Sequence, residues 1–293
     1  MENGFSVKNR DAKAGAELSY CGGEVRRRDP DRFLFALFAP GDRREDLLAL
    51  YAFNLELARA REQVSEKMLG RIRLQWWREA VGEIYSGTPR RHAVIEPLYA
   101  AVKRYGLDRA LLDRMIDARE SDMDAAPPRD LPALEAYAEG TAGSLAALSL
   151  GVLGVANEPA HRAARHVALA WALTGLLRAV AFHARAKRQY LPSDLMEQHG
   201  ALPADLFELR SGPALAAVAR DVAAAARRHL AEARALRIGV TRAALPALLP
   251  AVLADVYLKT LERGGYDPLS SAFADRQKFA AWRVATAALL GRY

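Results

Sequence analysis

The helix predicted after Pro40-Gly41 restricts the fold more than any other feature, because it has almost no polar face. Asp42 followed by Glu45 resembles a capping box, and it opens a helix that we expect to end near residue 63. Apolar side chains fill nearly every turn, at Leu47, Leu48, Leu50, Tyr51, Phe53, Leu55 and Leu57. A helix with this pattern is buried on most sides. The chain therefore needs other helices packed around it.

The rest of the sequence also predicts helices. Ala, Leu, Arg and Glu dominate, all strong helix formers, and no run alternates in the manner of a strand. Further helices are predicted at about 67–87, 93–105, 108–124, 132–153 and 158–185, with three more after Gly212-Pro213. No Ser/Gly-rich linker and no repeat period interrupts this pattern. We therefore predict a single all-α domain over residues 1–293, with residues 1–28 loosely ordered.

Composition and charge narrow the classes of partner. The hydrophobic content of 51% and the charged content of 26% exclude general disorder. The net charge of +7 suits an anionic partner such as a diphosphate or a membrane surface. The basic residues are nevertheless scattered and match no nucleic-acid-binding motif, so we expect no nucleic-acid partner.

Cysteine use and hydropathy indicate the compartment. The single cysteine, Cys21, excludes an internal disulfide and a multi-cysteine zinc site, and it fits a reducing cytoplasm. The N-terminal residues carry no apolar signal-peptide core. No strongly apolar run reaches the roughly 18 residues that a membrane span requires. We expect a cytoplasmic location, and peripheral contact with the inner membrane stays compatible with the charge.

The segment from Arg178 to Pro192 reads R-A-V-A-F-H-A-R-A-K-R-Q-Y-L-P. It resembles the second aspartate-rich motif of the squalene/phytoene synthase family, R-D-V-x-E-D-x-R-x-G-R-x-Y-L-P. Ala179, Phe182 and His183 stand where that motif has its acids. The resemblance implies that those acids hold Mg²⁺ against a substrate diphosphate, and Mg²⁺ requires oxygen ligands. We therefore expect the scaffold to be kept and the metal chemistry to be lost.

Other matches to the family follow in order along the chain. Tyr51-Ala-Phe-Asn resembles the start of the first aspartate motif, Y-A-F-C-R-x-x-D-D-x-x-D. In that register Ala58 and Arg59 replace the first two acids, and Glu62 stands at the third. Asp122 falls near an acidic position of the family's middle helix. The resemblance covers about residues 30–265, and it implies an all-α isoprenoid (trans-prenyl diphosphate) synthase fold with a large central cavity.

The departures from the synthase motifs resemble one branch, the complex I assembly factor 6 proteins of mitochondria and their α-proteobacterial relatives. The matching segments are Phe53-Asn-Leu-Glu-Leu-Ala, Ser65-Glu-Lys67, Gln75-Trp-Trp77 and Tyr190-Leu-Pro-Ser-Asp194. This resemblance implies a non-catalytic role in the assembly of respiratory complex I, with its subunits or assembly intermediates as partners and a prenyl lipid as ligand. The alternative is an active prenyltransferase that makes squalene or phytoene by head-to-head condensation. No cofactor is expected in the first case, and Mg²⁺ is expected in the second.

The candidate binding residues follow from the same motifs. A prenyl diphosphate or anionic lipid is expected to contact Tyr51, Arg178, Arg185, Lys187, Arg188 and Tyr190. Guanidinium groups recognise phosphate bidentately, whereas the alternative interpretation is a solvated helix end whose cations oppose the dipole. No catalytic residue is assigned.

The candidate metal ligands are weaker. Glu62 and Glu66 lie one turn apart and either hold one Mg²⁺ or form a solvated face paired with arginine. Asp122 is a third candidate ligand. His183 either titrates as an acid, base or ligand, or is a partly buried helix residue.

Overall fold

The computed structural model describes residues 18–61, 67–124 and 126–293, and these contain helices and no strand. The helices of the first half are α1 (Tyr20–Arg28), α2 (Pro30–Ala36), α3 (Gly41–Ala58), α4 (Lys67–Ser86), α5 (Ile95–Tyr105), α6 (Arg109–Glu120), α7 (Leu131–Ala138) and α8 (Ser144–Leu153). A π-helical turn, Glu139–Gly143, joins α7 to α8. Those of the second half are α9 (Glu158–Arg178), α10 (Val180–Arg185), α11 (Ser193–Gln198), α12 (Pro203–Phe207), α13 (Pro213–Ala235), α14 (Leu245–Leu248), α15 (Pro250–Arg263), α16 (Ser271–Ala274) and α17 (Ala280–Leu289). The all-α class predicted from the sequence is confirmed.

Helix α3 is buried as its sequence predicts. Every side chain from Leu47 to Phe53 lies in the core, and helices α1, α5 and α8 pack around it. The predicted cap is wrong, because Pro40 occupies the cap position and no side chain caps the helix. Asp42 instead lies in the first turn, where a carboxylate is favourable against the helix dipole.

Helix α9 forms the second centre of the fold and packs along α13 and against α15. Its buried residues include Ala163, Ala164 and Ala170, and α13 also has buried alanines. Small side chains at such a contact let two helix axes approach closely. Burial of α3 and α9 produces one continuous hydrophobic cluster through the described residues.

Residues 20–28 correct the prediction of a loosely ordered N-terminal segment. They form α1, whose Cys21 and Val25 are buried against the core. Ser19 caps the helix by accepting a hydrogen bond from the Gly22 amide (3.0 Å). The cap and the buried face together explain the order, and residues 1–17 lie outside the described ranges.

The stretch Arg242–Arg263 is long and apolar enough, by composition, to cross a membrane, which corrects the expectation that no apolar run reaches that length. It contains α14 and α15, and 67% of its most apolar window is buried inside the fold. Leu253 and Tyr257 are among its fully buried side chains. Packing in the core accounts for the apolar composition of this stretch without a bilayer.

Candidate functional site

The segment of the second motif does not form one continuous helix. Helix α9 ends at Arg178, Ala179 has φ −88° and ψ 3°, and the chain resumes helix in α10. Lys187 then adopts φ 54°, a left-handed conformation that is uncommon for residues with a side chain. These two changes of direction send the basic residues of the motif to different parts of the molecule.

Asp122 is the centre of a buried polar network, which we call the Asp122 network. The Tyr190 hydroxyl donates to Asp122 Oδ1 at 2.6 Å, and the Tyr137 hydroxyl donates to the same oxygen at 3.0 Å. Arg119 Nη1 donates to Asp122 Oδ2 at 3.2 Å, and Arg188 Nη2 lies 3.4 Å from Oδ1. Asp122 is 3% exposed, so these four side chains, rather than water, are the polar partners of its carboxylate.

The electrostatics of the network fit a structural carboxylate. Burial raises the pKa of Tyr137 and of Tyr190, so both phenols stay protonated at neutral pH and donate. Two guanidinium groups supply the countercharge to Asp122. A Mg²⁺ ion at this carboxylate would have to displace arginine and tyrosine donors while lying beside two positive charges. Asp122 therefore does not fit the metal that the family implies.

His183, at a position where the motif has an acid, packs on the network. Its ring centre lies 4.5 Å from that of Tyr190, and Nδ1 is a buried atom without a hydrogen-bond partner. Burial, together with the charge of Arg188, lowers the pKa of His183 to about 4. The ring is thus neutral at pH 7 and partly buried, as one of the two sequence-based interpretations expected.

At the end of the first motif, as at Asp122, arginine side chains pair with the carboxylate. Ala58 ends α3, and Arg59 Nη1 lies 3.4 Å from Glu56 Oε1. Arg73 Nη2 donates to the other oxygen of Glu56 at 2.9 Å. The candidate ligands Glu62 and Glu66 lie outside the described residues. Among the residues that the structure does describe, no group of three or more His, Cys, Asp or Glu side chains is placed to hold a metal.

Arg178 belongs to a second buried cluster around Asp31. Its guanidinium carbon stacks 3.6 Å from the ring centre of Tyr257, and Nη1 lies 3.9 Å from Asp31 Oδ2. The Tyr257 hydroxyl and Arg276 Nε donate to Asp31 at 3.0 and 2.9 Å. Arg178 therefore does not join Arg188 in one binding site.

The other two cations of the motif are exposed at the surface. Arg185 Nη1 contacts the Ala181 carbonyl of its own helix at 3.5 Å, and Lys187 Nζ donates to the Phe207 carbonyl at 3.3 Å. Of the six predicted ligand-binding residues, only Arg188 and Tyr190 come together.

Two cavities lie near the predicted binding residues. Tyr51, with Arg32, Ser149 and Trp171, lines an interior cavity of only about 30 Å³. That volume is close to the share of one water molecule in the liquid and far below the roughly 300 Å³ at which ligand pockets begin. Among the described residues, the cavity at Tyr51 is therefore too small for a prenyl chain.

A cavity of about 250 Å³ lies beside the Asp122 network, and we call it the Tyr190 cavity. Tyr137, Arg188 and Tyr190 line it together with Pro127 and Pro128. The Arg188 guanidinium in an aromatic and proline wall suits the anionic end of an amphiphile, Asp124 lines the same cavity, and its volume, slightly below the roughly 300 Å³ of a ligand pocket, admits only part of such a molecule. The sequence analysis assigned no site role to Tyr137 or Arg119, although Arg119 lies only three residues before Asp122.

A sequence model of the family described as "Squalene/phytoene synthase" matches residues 25–285. The chain belongs to this family. The squalene/phytoene synthase fold is also found in the solved structure of a squalene synthase from Alicyclobacillus acidocaldarius, with a TM-score of 0.75 and 19% identity, over 85% of this chain and 94% of that one. Both the family and the fold predicted from the motifs are confirmed.

Two relatives within the squalene/phytoene synthase family differ in their described roles. The "NADH dehydrogenase (ubiquinone) complex I, assembly factor 6" of Mus musculus is 37% identical over 248 residues, which cover 85% of this chain and 74% of that protein. A presqualene diphosphate synthase of Rhodopseudomonas palustris is 28% identical, over 66% of this chain and 69% of that enzyme. The predicted resemblance to the assembly factor 6 proteins is confirmed.

Proposed function

We propose that this member of the squalene/phytoene synthase family acts without catalysis in the assembly of respiratory complex I. The observation that carries the proposal is the replacement of the motif acids by Ala58, Arg59, Ala179 and His183. Ionisation of an allylic diphosphate needs a cation to neutralise the developing charge, and that cation needs carboxylates. The 37% identity to assembly factor 6 of the mouse supports the same role.

The ion pairs near the motif positions that lack acids support a scaffold rather than a degraded enzyme. Glu56 is matched by Arg59 and Arg73, and Asp122 by Arg119 and Arg188. A buried charge that loses its partner is strongly destabilising, so an eroding enzyme site would leave such charges unmatched. The arginine partners of Glu56 and Asp122 keep the fold stable, as a scaffold role requires.

The proposal includes an amphiphilic ligand and a place at the membrane. We infer that a prenyl diphosphate or anionic lipid places its charged end at Arg188, in the Tyr190 cavity, because the interior near Tyr51 has too little room. The partners are complex I subunits or assembly intermediates, and the protein lies in the cytoplasm with peripheral contact at the inner membrane. No metal cofactor enters this role.

The second candidate is a prenyltransferase that makes squalene or phytoene by head-to-head condensation with Mg²⁺. It is favoured by the 28% identity to the presqualene diphosphate synthase of R. palustris, and Glu62 remains at one motif position. Such an enzyme would have to hold Mg²⁺ without an acid at positions 58, 59, 179 and 183.

The test is a deletion strain of the source organism, analysed for both candidates at once. We expect less assembled complex I on native gels and lower NADH:quinone activity, restored by the wild-type gene, with squalene, phytoene and their products unchanged. Purified protein given Mg²⁺ and farnesyl or geranylgeranyl diphosphate should form no C30 or C40 product, with a presqualene diphosphate synthase as positive control. Normal complex I together with missing C30 or C40 isoprenoids would overturn the proposal and favour the enzyme.

A further inference from the structure

Helix α17 is held to the protein by small side chains, while its large apolar ones face away. Ala280, Val284 and Ala288 are buried, and the helix packs against α2 and α15. The exposed side chains, between 58 and 77% accessible, are those of Phe279, Trp282, Leu289 and Leu290. Trp282 and Leu289 lie two turns apart on one side of the helix, and Phe279 and Leu290 flank its two ends. The α17 face, defined by these four residues, is therefore an apolar stripe interrupted by the exposed Thr286.

Such a stripe differs from the scattered apolar residues of an ordinary surface. Single exposed leucines need no explanation, but four large exposed apolar side chains on one short helix and its ends, two of them aromatic, mark an interaction site. Beside the stripe lies a groove of about 680 Å³, lined by Val252 and Val256 of α15 and by Trp282 and Leu290. The groove thus brings apolar side chains of α15 and α17 together, and charged and polar side chains line the rest of it.

The charges around the α17 face are mainly positive. Lys259, Arg283 and Arg292 line the groove, and Lys278 precedes the helix. Among the residues that line the groove, the only acid is Asp255, and Arg234 neutralises it at 2.5 Å. The apolar stripe is thus bordered by cations that have no matching carboxylate in the groove.

We propose that the α17 face docks the protein on an anionic phospholipid bilayer. Tryptophan and phenylalanine at the outer surface would enter the headgroup region, where aromatic rings are favoured, and leucines would reach the acyl boundary. The four cations would lie at the level of the lipid phosphates, whose charge complements theirs. An apolar stripe with a cationic border suits a bilayer with anionic phosphates, whereas a folded partner would need acidic residues matched to these cations.

This surface differs from the one that the second motif suggested. Arg178 pairs with Asp31, and Arg188 lines the Tyr190 cavity beside Asp122; their side chains are only 20% and 17% exposed, so neither reaches a flat bilayer surface. Arg185 and Lys187 remain exposed but have no apolar stripe like that of α17 beside them. The proposal rests on the peripheral membrane contact of the proposed function and assigns it a surface, and it is separable from the assembly role because vesicle binding is a property of the purified protein alone.

The experiment is flotation of the purified protein with vesicles of phosphatidylcholine, with or without about 30 mol% phosphatidylglycerol. The apolar variant is Trp282→Ser with Leu289→Ser, and the charge variant is Lys278→Glu with Arg283→Glu. Two control pairs change equally exposed residues elsewhere, Met68→Ser with Ile72→Ser and Arg185→Glu with Lys187→Glu. Thermal unfolding checks that each variant is folded.

We expect binding to the anionic vesicles only, weakened by salt because exposed charges are screened. The apolar and charge variants should each lose about tenfold or more in binding, and the control pairs should change it less than about twofold. Trp282 is the most exposed of the four tryptophans, so its fluorescence should shift to the blue with vesicles and this shift should vanish in Trp282→Phe.

Two results would overturn the proposal. The first is binding of the folded α17 variants equal to that of the wild type, or loss of binding only in the Arg185 and Lys187 pair. The second is absence of binding to either vesicle, even if the α17 variants fail to restore complex I in the deletion strain. In that second case the face contacts a protein, and the assembly role stands while lipid docking falls.

Discussion

Replacement of Asp122 by asparagine tests whether the Asp122 network is structural. The asparagine side chain would keep the shape and one acceptor oxygen but remove the negative charge between Arg119 and Arg188. Both arginine side chains are 17% exposed, so little water reaches them to compensate. Removal of one partner from a buried ion pair costs about 3–5 kcal/mol, and the remaining exposure and acceptor place this change near the lower value.

The expected loss is large enough for ordinary unfolding assays. With an unfolding entropy of about 2 cal/mol/K per residue, a loss of about 3 kcal/mol lowers the melting temperature by roughly 5 °C. Asp124→Asn is the matched control, because Asp124 pairs with Arg71 at 3.1 Å but the two side chains are 61% and 56% exposed. An exposed pair contributes at most about 1 kcal/mol.

The assay is urea unfolding followed by circular dichroism, supported by calorimetry. In a double-mutant cycle, Arg188→Met should recover part of the stability lost in Asp122→Asn, since it removes one of the unmatched charges. If Asp122→Asn is no less stable than Asp124→Asn, then the carboxylate is not needed as a counter-ion. The explanation of the network as a structural replacement for a metal site would then be wrong.

Three further outcomes are expected from the packing, the titratable groups and the motifs. Gly140→Ala should destabilise the protein by about 1–3 kcal/mol in urea unfolding, because a Cβ there would lie 2.7 Å from Ala118 Cβ. Gly23→Ala, with no atom within 4 Å of the new Cβ, should stabilise α1 by about 0.5–1 kcal/mol, and equal effects would contradict the packing argument. The low pKa of His183 means that the unfolded chain takes up the proton first, so the free energy of unfolding should fall by up to about 2 kcal/mol between pH 7 and 5. His183→Phe should reduce that fall, and an unchanged pH profile would refute this role. Restoring aspartate at positions 58, 59, 179 and 183 should not create synthase turnover in a radiolabel assay, because a site misplaced by about 1 Å loses activity by orders of magnitude.

The sequence by itself determined the helical class, the burial of α3 and the family. Local patterns suffice for these, because an apolar helix without a polar face has to be enclosed whatever surrounds it. The order of the motifs likewise identified the squalene/phytoene synthase family before any contact was known. The missing acids at Ala179 and His183 were also visible in the letters alone.

Only the tertiary structure determined which contacts the remaining residues of the motif make. Arg178 and Arg188 lie in one motif, yet the breaks at Ala179 and Lys187 direct them to Asp31 and Asp122. Tyr190 meets Asp122 across 68 residues of sequence, and Tyr257 meets Asp31 across 226. The local spacing of residues does not predict these long-range contacts, because they depend on how whole helices pack together. The outward face of α17 is likewise a property of the fold, since its sequence alone does not say which side the core covers.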